Sequence, residues 1–351
     1  MLVTLAGACG EAERETSVAA ASPPIAAAAA VDAHPVRAVI NPRMLRRFHP
    51  VGGAAVAAPP APALVELGRM LWFDGRLSAS GRESCDSCHT LERFGVDGRP
   101  TSLGDLGHTG RRNAPTVYNC SQHFAFFWDG RAKALEAQAL GPILDPGEMD
   151  STAERVEATL RSVPEYRARF AAVFAGDGEP VTMAHVARSL AAFERGLVTR
   201  SRFDEYLAGR DAALGDQEVE GLRVFIEVGC VTCHTGPQVG ASTFQKAGAV
   251  EAWPNQADQG RFELTKDPAD RMMFKVPGLM NVARTAPYFH DGSVGDLATA
   301  VTMMGRHQLG LELRPDEVAA IVAFLGALSG ELPRDYIKPP ALPPTVADEV
   351  P

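Results

Sequence analysis

Apolar residues recur at helical spacing through most of the chain from residue 63 onward. Leu64, Leu67 and Leu71 stand three or four positions apart, which places them on one face of a helix. No segment shows the alternation of apolar and polar residues that is typical of a half-buried strand. The chain is therefore predicted to be all-α, with further helices over residues 132–140, 153–162, 166–174, 183–198, 216–228, 297–304 and 315–328.

Certain residues mark where some of these helices begin. Asp150 and Ser151 are candidate N-caps for the helix over 153–162, because their side chains can accept a hydrogen bond from a free backbone N–H. Asp216 is a candidate cap for a later helix. Pro315 suits a first helical turn, where its missing backbone donor is not needed.

Segments rich in Pro, Gly and Ala divide the chain. Residues 11–62 show little periodicity and include a run of alanines, which is typical of a loose tether. A break near 209–215 separates the helices into two groups. We therefore expect four parts: a truncated leader and tether over 1–62, helical domains over 63–213 and 214–335, and a Pro-rich tail over 336–351.

One short motif occurs near the start of each predicted helical domain. Residues 85–89 read CDSCH and residues 230–234 read CVTCH, and C-x-x-C-H is the attachment motif of a c-type haem. On one helical turn the two thiols share a face and can bond the two vinyl groups of one porphyrin, while the adjacent His reaches the iron. The sequence thus predicts two covalent haems and a redox protein. The predicted haem-binding residues are Cys85, Cys88, His89, Cys230, Cys233 and His234.

A zinc knuckle, a thioredoxin-like dithiol and a structural disulfide are the alternative interpretations of each Cys pair. Only haem attachment calls for a His directly after the second Cys. His accounts for 9 of the 351 residues, so two such placements by chance are improbable. Zinc sites also take ligand pairs that lie closer in sequence than these two motifs do. Haem attachment is therefore the favoured interpretation.

The overall composition is that of a globular protein, with 46% hydrophobic and 22% charged residues. The formal net charge of -9 argues against nucleic acid as a partner, while it permits docking of a basic electron donor. No apolar run in the sequence is long enough to span a bilayer.

The first ten residues, MLVTLAGACG, resemble the end of a bacterial lipoprotein signal peptide without its basic start and most of its apolar core. Under this interpretation the true start lies upstream and Cys9 carries a lipid anchor. The alternative is a disordered N-terminus with a chance Cys. Covalent haem and an export signal both favour the periplasm. Cys120, the other cysteine outside the motifs, has no evident partner.

Several longer segments occur in the order seen in one protein family. They are residues 113–119 (NAPTVYN), 127–132 (FWDGRA), 136–142 (EAQALGP), 148–149 (EM), 260–265 (GRFELT) and 285–293 (TAPYFHDGS). With the two C-x-x-C-H motifs, they make the region 63–333 resemble the bacterial dihaem cytochrome c peroxidase family, which includes the MauG-like dihaem oxidases. The resemblance implies two cytochrome c-like domains, each with one haem c, joined across a dihaem interface with long loops.

By this resemblance, the haem at His89 is the site of peroxide reduction and the haem at His234 accepts single electrons. Glu148 would be the acid/base that carries a proton between the two peroxide oxygens, and burial should raise its pKa. Gln138 would be its hydrogen-bonding partner on the same face. For Glu148 alone, a solvent-facing loop residue is the other interpretation.

The resemblance also implies that Met304 is the second axial ligand of the iron at His234. A thioether is soft and favours ferrous iron, so this ligation raises the potential and suits electron entry. Packing in a helical core is the other interpretation of Met304. Nearby methionines compete for the role: Met272, Met273, Met280 and Met303.

Two further features rest on the resemblance. Trp128 corresponds to a tryptophan between the two haems, on the electron path, and core packing is compatible with that role. Asn113, Thr285 and Pro287 correspond to an inter-domain calcium site, in which a side-chain amide and backbone carbonyls supply oxygen ligands. His290 is expected to be structural or to lie at a haem edge rather than to bind metal.

The chain departs from much of the family at one position. Where a His of the Gly-rich loop caps the iron of the first haem in the resting enzyme, this sequence has Asp105. Either His108, three residues further on, caps that iron or the site is open and holds water. An open site is favoured, because Asp is a poor ligand for haem iron beside imidazole.

Three functions remain in view. The leading one is a periplasmic or lipid-anchored peroxidase that reduces hydrogen peroxide to two waters with electrons from a small cytochrome c or copper protein. The second is a MauG-like oxidase of a partner protein, but there the second iron typically carries Tyr rather than Met. The third is a non-enzymatic dihaem electron carrier, in which Glu148 and Gln138 would have no purpose. A homodimer is compatible with each.

Overall fold

The computed structural model describes residues 37–52 and 59–344 of the chain. Helices dominate this part, which confirms the mostly helical architecture, and none of them is long and apolar enough to cross a membrane. Cys9 and the predicted leader lie outside the described residues. The α-helices are α1 (Pro42–Leu45), α2 (Pro62–Phe73), α3 (Cys85–Cys88), α4 (Leu135–Leu144), α5 (Ala153–Ser162), α6 (Pro164–Val173), α7 (Met183–Glu194), α8 (Arg202–Leu207), α9 (Asp216–Glu227), α10 (Phe262–Thr265), α11 (Leu297–Met304) and α12 (Pro315–Ala327).

A small β-ribbon interrupts the helical fold. Strand β1 (Phe244–Lys246) pairs antiparallel with β2 (Met273–Lys275), so that Phe244 stands opposite Lys275. Each strand has only three residues, which is too short for an alternating pattern to show in the sequence. The prediction of a purely α-helical chain was wrong at this point. The ribbon carries Lys275 into the protein interior.

Two predicted helix caps differ from those observed. The N-cap of α5 is Thr152, whose hydroxyl accepts a hydrogen bond from the Arg155 amide at 3.2 Å. Asp150 instead has a left-handed backbone (φ 49°) that ends the preceding turn. At α9 the N-cap is Gly215, and Asp216 is the first helical residue, where a negative charge still favours the helix N-terminus.

A pair of closely packed helices lies at the centre of each half of the molecule. Helix α2 packs on α7, and α9 packs on α12. A Cβ atom on Gly68 would lie 1.9 Å from the Ser189 carbonyl oxygen, and one on Gly221 would lie 1.8 Å from the Ala320 carbonyl oxygen. Glycine therefore lets the two backbones of each pair come into contact. In each half the first helix of the pair precedes a C-x-x-C-H motif.

A hydrophobic cluster surrounds each helix pair. In the first, the rings of Trp72 and Phe193 join α2 to α7 with their centroids 5.7 Å apart. In the second, Phe225 and Phe324 join α9 to α12 at 5.3 Å. Phe203 of α8 also packs in this second cluster, against Phe324. The division into two domains at residue 213 stays a prediction.

A repeated loop follows each haem motif. Asn119 and Asn281 both have left-handed backbones (φ 61° and 64°), and each begins a short 3₁₀ turn. The same number of residues beyond each asparagine, a β-bridge closes a short loop, over residues 126–132 in one half and over residues 288–294 in the other. Both asparagine side chains donate a hydrogen bond of 2.9 Å to the same buried hydroxyl, that of Thr199. The two halves thus repeat one plan and meet at this residue.

The repeat extends to the helix after each loop. Helix α4 begins at the same distance from Asn119 as α11 does from Asn281. Counted this way, Trp128 corresponds to His290 and Pro142 of α4 corresponds to Met304 of α11. The chain continues past Met304 as one turn of π-helix, Gly305–Leu309, and such turns often lie at functional sites.

Candidate active site

The first motif folds as the single helical turn that its spacing predicts. Helix α3 spans Cys85–Cys88, and Ser84 and Ser87 form a capping box at its start. The His89 amide donates to the Cys85 carbonyl oxygen at 2.9 Å, so His89 directly follows the turn. The thiols of Cys85 and Cys88 are half-buried and form no disulfide bond. Both sulfurs are therefore available on one face.

The ring of His89 is held by its Nδ1 atom. That atom lies 3.2 Å from the Gly95 carbonyl oxygen, so Nδ1 carries the proton and Nε2 is left with a free lone pair. Metal-bound histidines are usually oriented in this way by a backbone carbonyl. Burial lowers the pKa of His89, which keeps the imidazole in the neutral form that binds iron.

The second motif repeats this arrangement with different backbone geometry. Cys230–Thr232 forms a 3₁₀ turn after Gly229, whose φ of 100° favours glycine. The Nδ1 atom of His234 lies 3.1 Å from the Val239 carbonyl oxygen. Burial lowers the pKa of His234 to about 4. In both motifs a carbonyl a few residues downstream thus fixes a neutral imidazole.

These features fit haem better than zinc. Within the described residues, no three side chains of His, Cys, Asp or Glu converge as a metal site would require. A neutral imidazole beside two thiols on one turn is instead what a covalently attached porphyrin needs.

A cavity of about 540 Å³ lies beside the first motif. Its size falls in the usual range of cofactor and ligand pockets. It is lined by Cys88 and His89 together with Trp128, Gln138 and Glu148. A smaller cavity of about 50 Å³ continues past the same His89 and is lined by Cys85 as well. The structure therefore brings the predicted catalytic residues to the haem motif.

Glu148 reaches this cavity from the turn that follows α4. Its amide donates to the Asp145 carbonyl oxygen at 3.0 Å, and its own carbonyl accepts from the Asp105 amide at 2.6 Å. Burial raises the pKa of Glu148, the Asp145 charge raises it further, and Arg131 acts in the opposite direction. A carboxyl group whose pKa is raised in this way is better suited than an ordinary one to take up a proton and release it again.

Asp105 and His108 do not face the cavity. Asp105 is buried and accepts hydrogen bonds from the amide and the hydroxyl of Ser80, both at 2.5 Å. His108 is exposed, and its Nδ1 atom lies 2.5 Å from the Pro146 carbonyl oxygen. Neither residue is among those that line the two cavities. Asp105 thus serves to fix the loop rather than to bind iron.

Trp128 links this cavity to the region around Met304. Its Nε1 donates to the Asn113 carbonyl oxygen at 2.9 Å, and its ring lies edge-on to His290 with a centroid distance of 6.4 Å. It also packs against the hydrophobic cluster of Trp253, Met272 and Phe274, which Met303 and Met304 contact as well. Trp128 therefore lines the His89 cavity and also packs with side chains of the second half.

The three residues assigned to calcium lie on two neighbouring segments. The Asn113 amide donates to the His290 carbonyl oxygen at 2.8 Å, which ties it to the loop that contains Thr285 and Pro287. Its side-chain nitrogen donates to the Arg99 carbonyl oxygen at 3.0 Å, so Nδ2 is occupied and Oδ1 is the atom left to bind a cation.

Comparison with known proteins places these features in one family. The family model for di-haem cytochrome c peroxidase matches residues 62–212. A cytochrome c551 peroxidase of Nitrosomonas europaea is 47% identical over 301 residues, which make up 85% of this chain and 89% of that protein. A cytochrome c551 peroxidase of Pseudomonas aeruginosa is 46% identical over 79% of this chain and 81% of its own length. This chain belongs to the di-haem cytochrome c peroxidase family.

A solved structure agrees with the assignment of this chain to the di-haem peroxidase family. The crystal structure of a MauG-like protein associated with microbial copper homeostasis superimposes with a TM-score of 0.72. It is 31% identical and covers 80% of this chain and 94% of its own. The predicted peroxidase/MauG-like fold is thereby confirmed, and membership of the family implies haem c as the cofactor.

Several side chains that line the His89 cavity could not be predicted from the sequence. Lys275 and His123 contact each other at 3.2 Å, and Glu194 and Cys120 line the same cavity. Burial raises the pKa of Glu194 to about 8. No local motif marks these positions, because the order of apolar and polar residues around each one is explained by core packing alone. Only the fold brings them together.

Proposed function

We propose that this chain is a cytochrome c peroxidase that reduces hydrogen peroxide to two waters with two electrons and two protons. The electrons would come one at a time from a small cytochrome c or copper protein. The observation that carries the proposal is the cavity in which Glu148 and Gln138 meet Cys88 and His89. A peroxidase would use these two polar side chains on its substrate, whereas a simple electron carrier would have no use for them.

The haem groups would be attached at the two C-x-x-C-H motifs, with His89 and His234 as iron ligands. Bound there, haem supplies the redox chemistry that the side chains lack. His89 and His234 orient it through the carbonyl groups of Gly95 and Val239, which fix the imidazole rings. Two attached haems follow from the two complete motifs.

Glu148 would move the proton during peroxide reduction. It takes a proton from one peroxide oxygen and returns it to the other, so that the second oxygen leaves as water. Gln138, which lines the same cavity, supplies an amide that can hydrogen-bond the substrate. The turn held by Asp105 and Asp145 keeps Glu148 in position while it changes charge.

Met304 is proposed as the second ligand at His234, and the repeat supports it. Pro142, its counterpart in the first half, lines both cavities beside His89. The same position in the second half should then face the haem at His234. Proline offers no ligand atom, whereas methionine offers a thioether. The same comparison supports an open first site, since Pro142, at the position equivalent to Met304, provides no ligand atom for its iron.

Replacing Met304 by Leu should lower the midpoint potential of the haem at His234, because the soft sulfur ligand is lost. Met303→Leu is the matched control, because Met303 packs against the same cluster. Spectroelectrochemical titration checks both variants. An unchanged potential in Met304→Leu, or a fall only in Met303→Leu, would show that Met304 is not the ligand.

Two further parts of the proposal concern calcium and location. Asn113 with the backbone carbonyls of Thr285 and Pro287 would bind one Ca²⁺ and so hold the two halves at a fixed distance. The calcium site is supported by the hydrogen bond that ties Asn113 to the loop of residues 285–293. Haem c and the signal-like start favour the periplasm, with lipid at Cys9 if the leader is as predicted.

The proposed activity is tested with the haem-loaded protein. We expect hydrogen peroxide to drive rapid oxidation of a reduced small cytochrome c or copper protein, with two donor molecules oxidised per peroxide. Haem content measured on the same sample ensures that both groups are attached. Absence of turnover in a fully loaded sample would reject the peroxidase proposal.

A MauG-like oxidase of a partner protein is the second candidate, and the position of His108 favours it. A first site without a capping His needs no reductive opening, a trait of that branch. The likeness to a solved MauG-like protein points the same way. That candidate predicts a long-lived oxidised state after peroxide and weak turnover with soluble donors, whereas fast donor turnover supports the peroxidase.

A further inference from the structure

One wall of the His89 cavity carries a lysine without an anionic partner. Lys275 ends strand β2, is only 7% exposed and lines the cavity. Its backbone N–H donates to the Trp128 carbonyl oxygen at 2.7 Å, which fixes its place beside that ring. Its Nζ donates to Nδ1 of His123 at 3.2 Å, and among the described residues no carboxylate lies within salt-bridge distance of it.

Burial lowers the pKa of Lys275 to about 8, so the ammonium is still its main form at neutral pH, and the neighbouring groups do not neutralise it. His123 stays neutral, because burial and the Lys275 charge both lower its pKa far below the usual value. Glu194, the buried carboxyl group on the same cavity, is protonated at neutral pH because burial raises its pKa to about 8. His123 therefore uses one of the three N–H donors of the ammonium and leaves two without a charged acceptor.

A second cation on this cavity, the half-buried Arg112, is fully paired. Arg112 forms ion pairs of 2.6 Å with both Asp129 and Asp258. Arg131, which is more exposed, pairs with Asp129 at 3.1 Å. A buried charge without a partner is costly, so proteins keep one where a ligand supplies the opposite charge. Lys275 is thus the cation on the cavity wall that an anion from outside the chain would complete.

We propose that Lys275, oriented by His123, binds a propionate carboxylate of the haem attached at Cys88 and His89. The inference rests on the haem attachment proposed above. A haem joined to protein through its two vinyl groups still carries two propionates, and these are its anionic groups. Cys88, His89 and Lys275 line one cavity, so one porphyrin placed there meets the thiol and the ammonium together.

The test measures the haem environment rather than turnover. In Lys275→Met, resonance Raman spectra should show a propionate bending band shifted to lower frequency, because its hydrogen-bonding cation is gone. The midpoint potential of the haem at His89 should also fall, since a nearby positive charge stabilises the reduced state. Lys275→Arg should restore both values towards wild type, because the charge returns.

Matched controls separate this result from other failures. Lys246→Met removes an exposed lysine of the same ribbon and should change neither the band nor the potential. Haem content, measured on every variant, shows whether attachment itself has failed, which would count against the haem sites and not against Lys275. If Lys275→Met does not accumulate, Lys275→Gln replaces it. Unchanged bands and potentials in a loaded neutral variant, or a shift confined to the haem at His234, would overturn the proposal.

Discussion

At the residue scale, two carboxylates near the cavity perform different tasks because their surroundings differ. Glu148 is half-buried on the cavity wall without a cation in contact, and the partial burial raises its pKa. Burial acts on Asp105 too, but hydrogen bonds from Ser80 and the Leu106 amide outweigh it and lower its pKa. Asp105 therefore stays ionised and holds the loop, whereas Glu148 can exchange a proton.

Replacing Glu148 by Gln should slow reduction of peroxide by about 100- to 10,000-fold, because general acid–base catalysis is lost. In the wild type the rate should fall as the pH drops through the pKa of Glu148, since the base must be ionised. That pKa is raised, so the loss begins at a higher pH than for an ordinary carboxylate. Stopped-flow measurement of the peroxide reaction against pH checks both points.

Asp145→Asn is the companion variant, because its charge raises the pKa of Glu148. Asn retains the Oδ1 atom that accepts from the Gly147 amide at 2.8 Å. The acid limb of the rate profile should therefore move to lower pH, with the plateau rate unchanged. Equal rates for Glu148→Gln and wild type, or an acid limb that persists in Glu148→Gln, would remove Glu148 from the mechanism.

Replacing His108 by Ala should leave the spectrum of the oxidised protein unchanged. Its Nδ1 is held by the Pro146 carbonyl oxygen and its side chain is exposed, away from both cavities. An iron capped by His108 would instead change from low spin to high spin in the variant. Absorption and EPR spectra of the oxidised wild type and variant distinguish the two cases.

Site residues that belong to a motif could be predicted from the sequence, but those whose role depends on spatial neighbours far along the chain could not. The C-x-x-C-H strings could be found because their chemistry requires a fixed local spacing. Lys275 and Asp105 could not, because a lysine or aspartate in a loop is usually solvated. What sets these two apart is burial and the identity of contacts far along the chain, such as His123 and Ser80.

At the element scale, the repeated loop and helix pair explain how one plan makes two sites. Each half uses a glycine to bring two helices into backbone contact, and each places a haem motif after the first helix. The helix at the end of each repeat then offers Pro142 in one half and Met304 in the other. A single side-chain difference at equivalent positions would therefore separate the proposed open site from the proposed six-coordinate one.

Gly221→Ala should destabilise the protein by about 1–3 kcal/mol, as overpacking of a tight contact does. The added Cβ would lie 1.8 Å from the Ala320 carbonyl oxygen, so α9 and α12 must move apart. Gly326→Ala is the matched control, because Gly326 also lies in this helix pair and has no atom within 4 Å of an added Cβ. It should be neutral or stabilising by up to about 1 kcal/mol.

Chemical denaturation of both variants measures the difference. Similar free energies of unfolding for Gly221→Ala and Gly326→Ala would contradict the close helix contact. Helix α11 could be predicted to the residue because its apolar spacing is a local signal. The ribbon of β1 and β2 could not, since three-residue strands are stabilised by the tertiary contacts of Phe244 and Lys275.

At the scale of the whole molecule, a partly buried ion-pair network joins distant segments beside the cavity. Arg112 contacts Asp129 next to Trp128 and also Asp258, in the loop between β1 and β2. The contact with Asp258 is bidentate, at 2.6 and 2.9 Å. The sequence did not predict this arrangement, because charge pairing across such separations depends on the completed fold. The network holds the Trp128 loop in register with the second half.

Arg112→Met should lower the free energy of unfolding by about 1–3 kcal/mol, because Asp258 loses its cation and Asp129 keeps only its longer pair with Arg131. Arg314→Met, which breaks exposed ion pairs with Asp316 and Glu317, should cost no more than about 1 kcal/mol. Arg112 lowers the pKa of Asp258 against the effect of burial. The stabilisation is thus present above the ordinary carboxylate pKa and is lost as the pH falls through the lowered one.

The difference in stability between wild type and Arg112→Met should therefore shrink on acidification, as the unpaired carboxylates become protonated. Denaturation curves recorded from neutral to acidic pH measure it. Since the network fixes the loop of Trp128, electron transfer between the two haems should also slow in Arg112→Met but not in Arg314→Met. A pH-independent stability difference would mean that Arg112 acts by packing and not by charge, and unchanged transfer would show that the Trp128 loop holds its place without it.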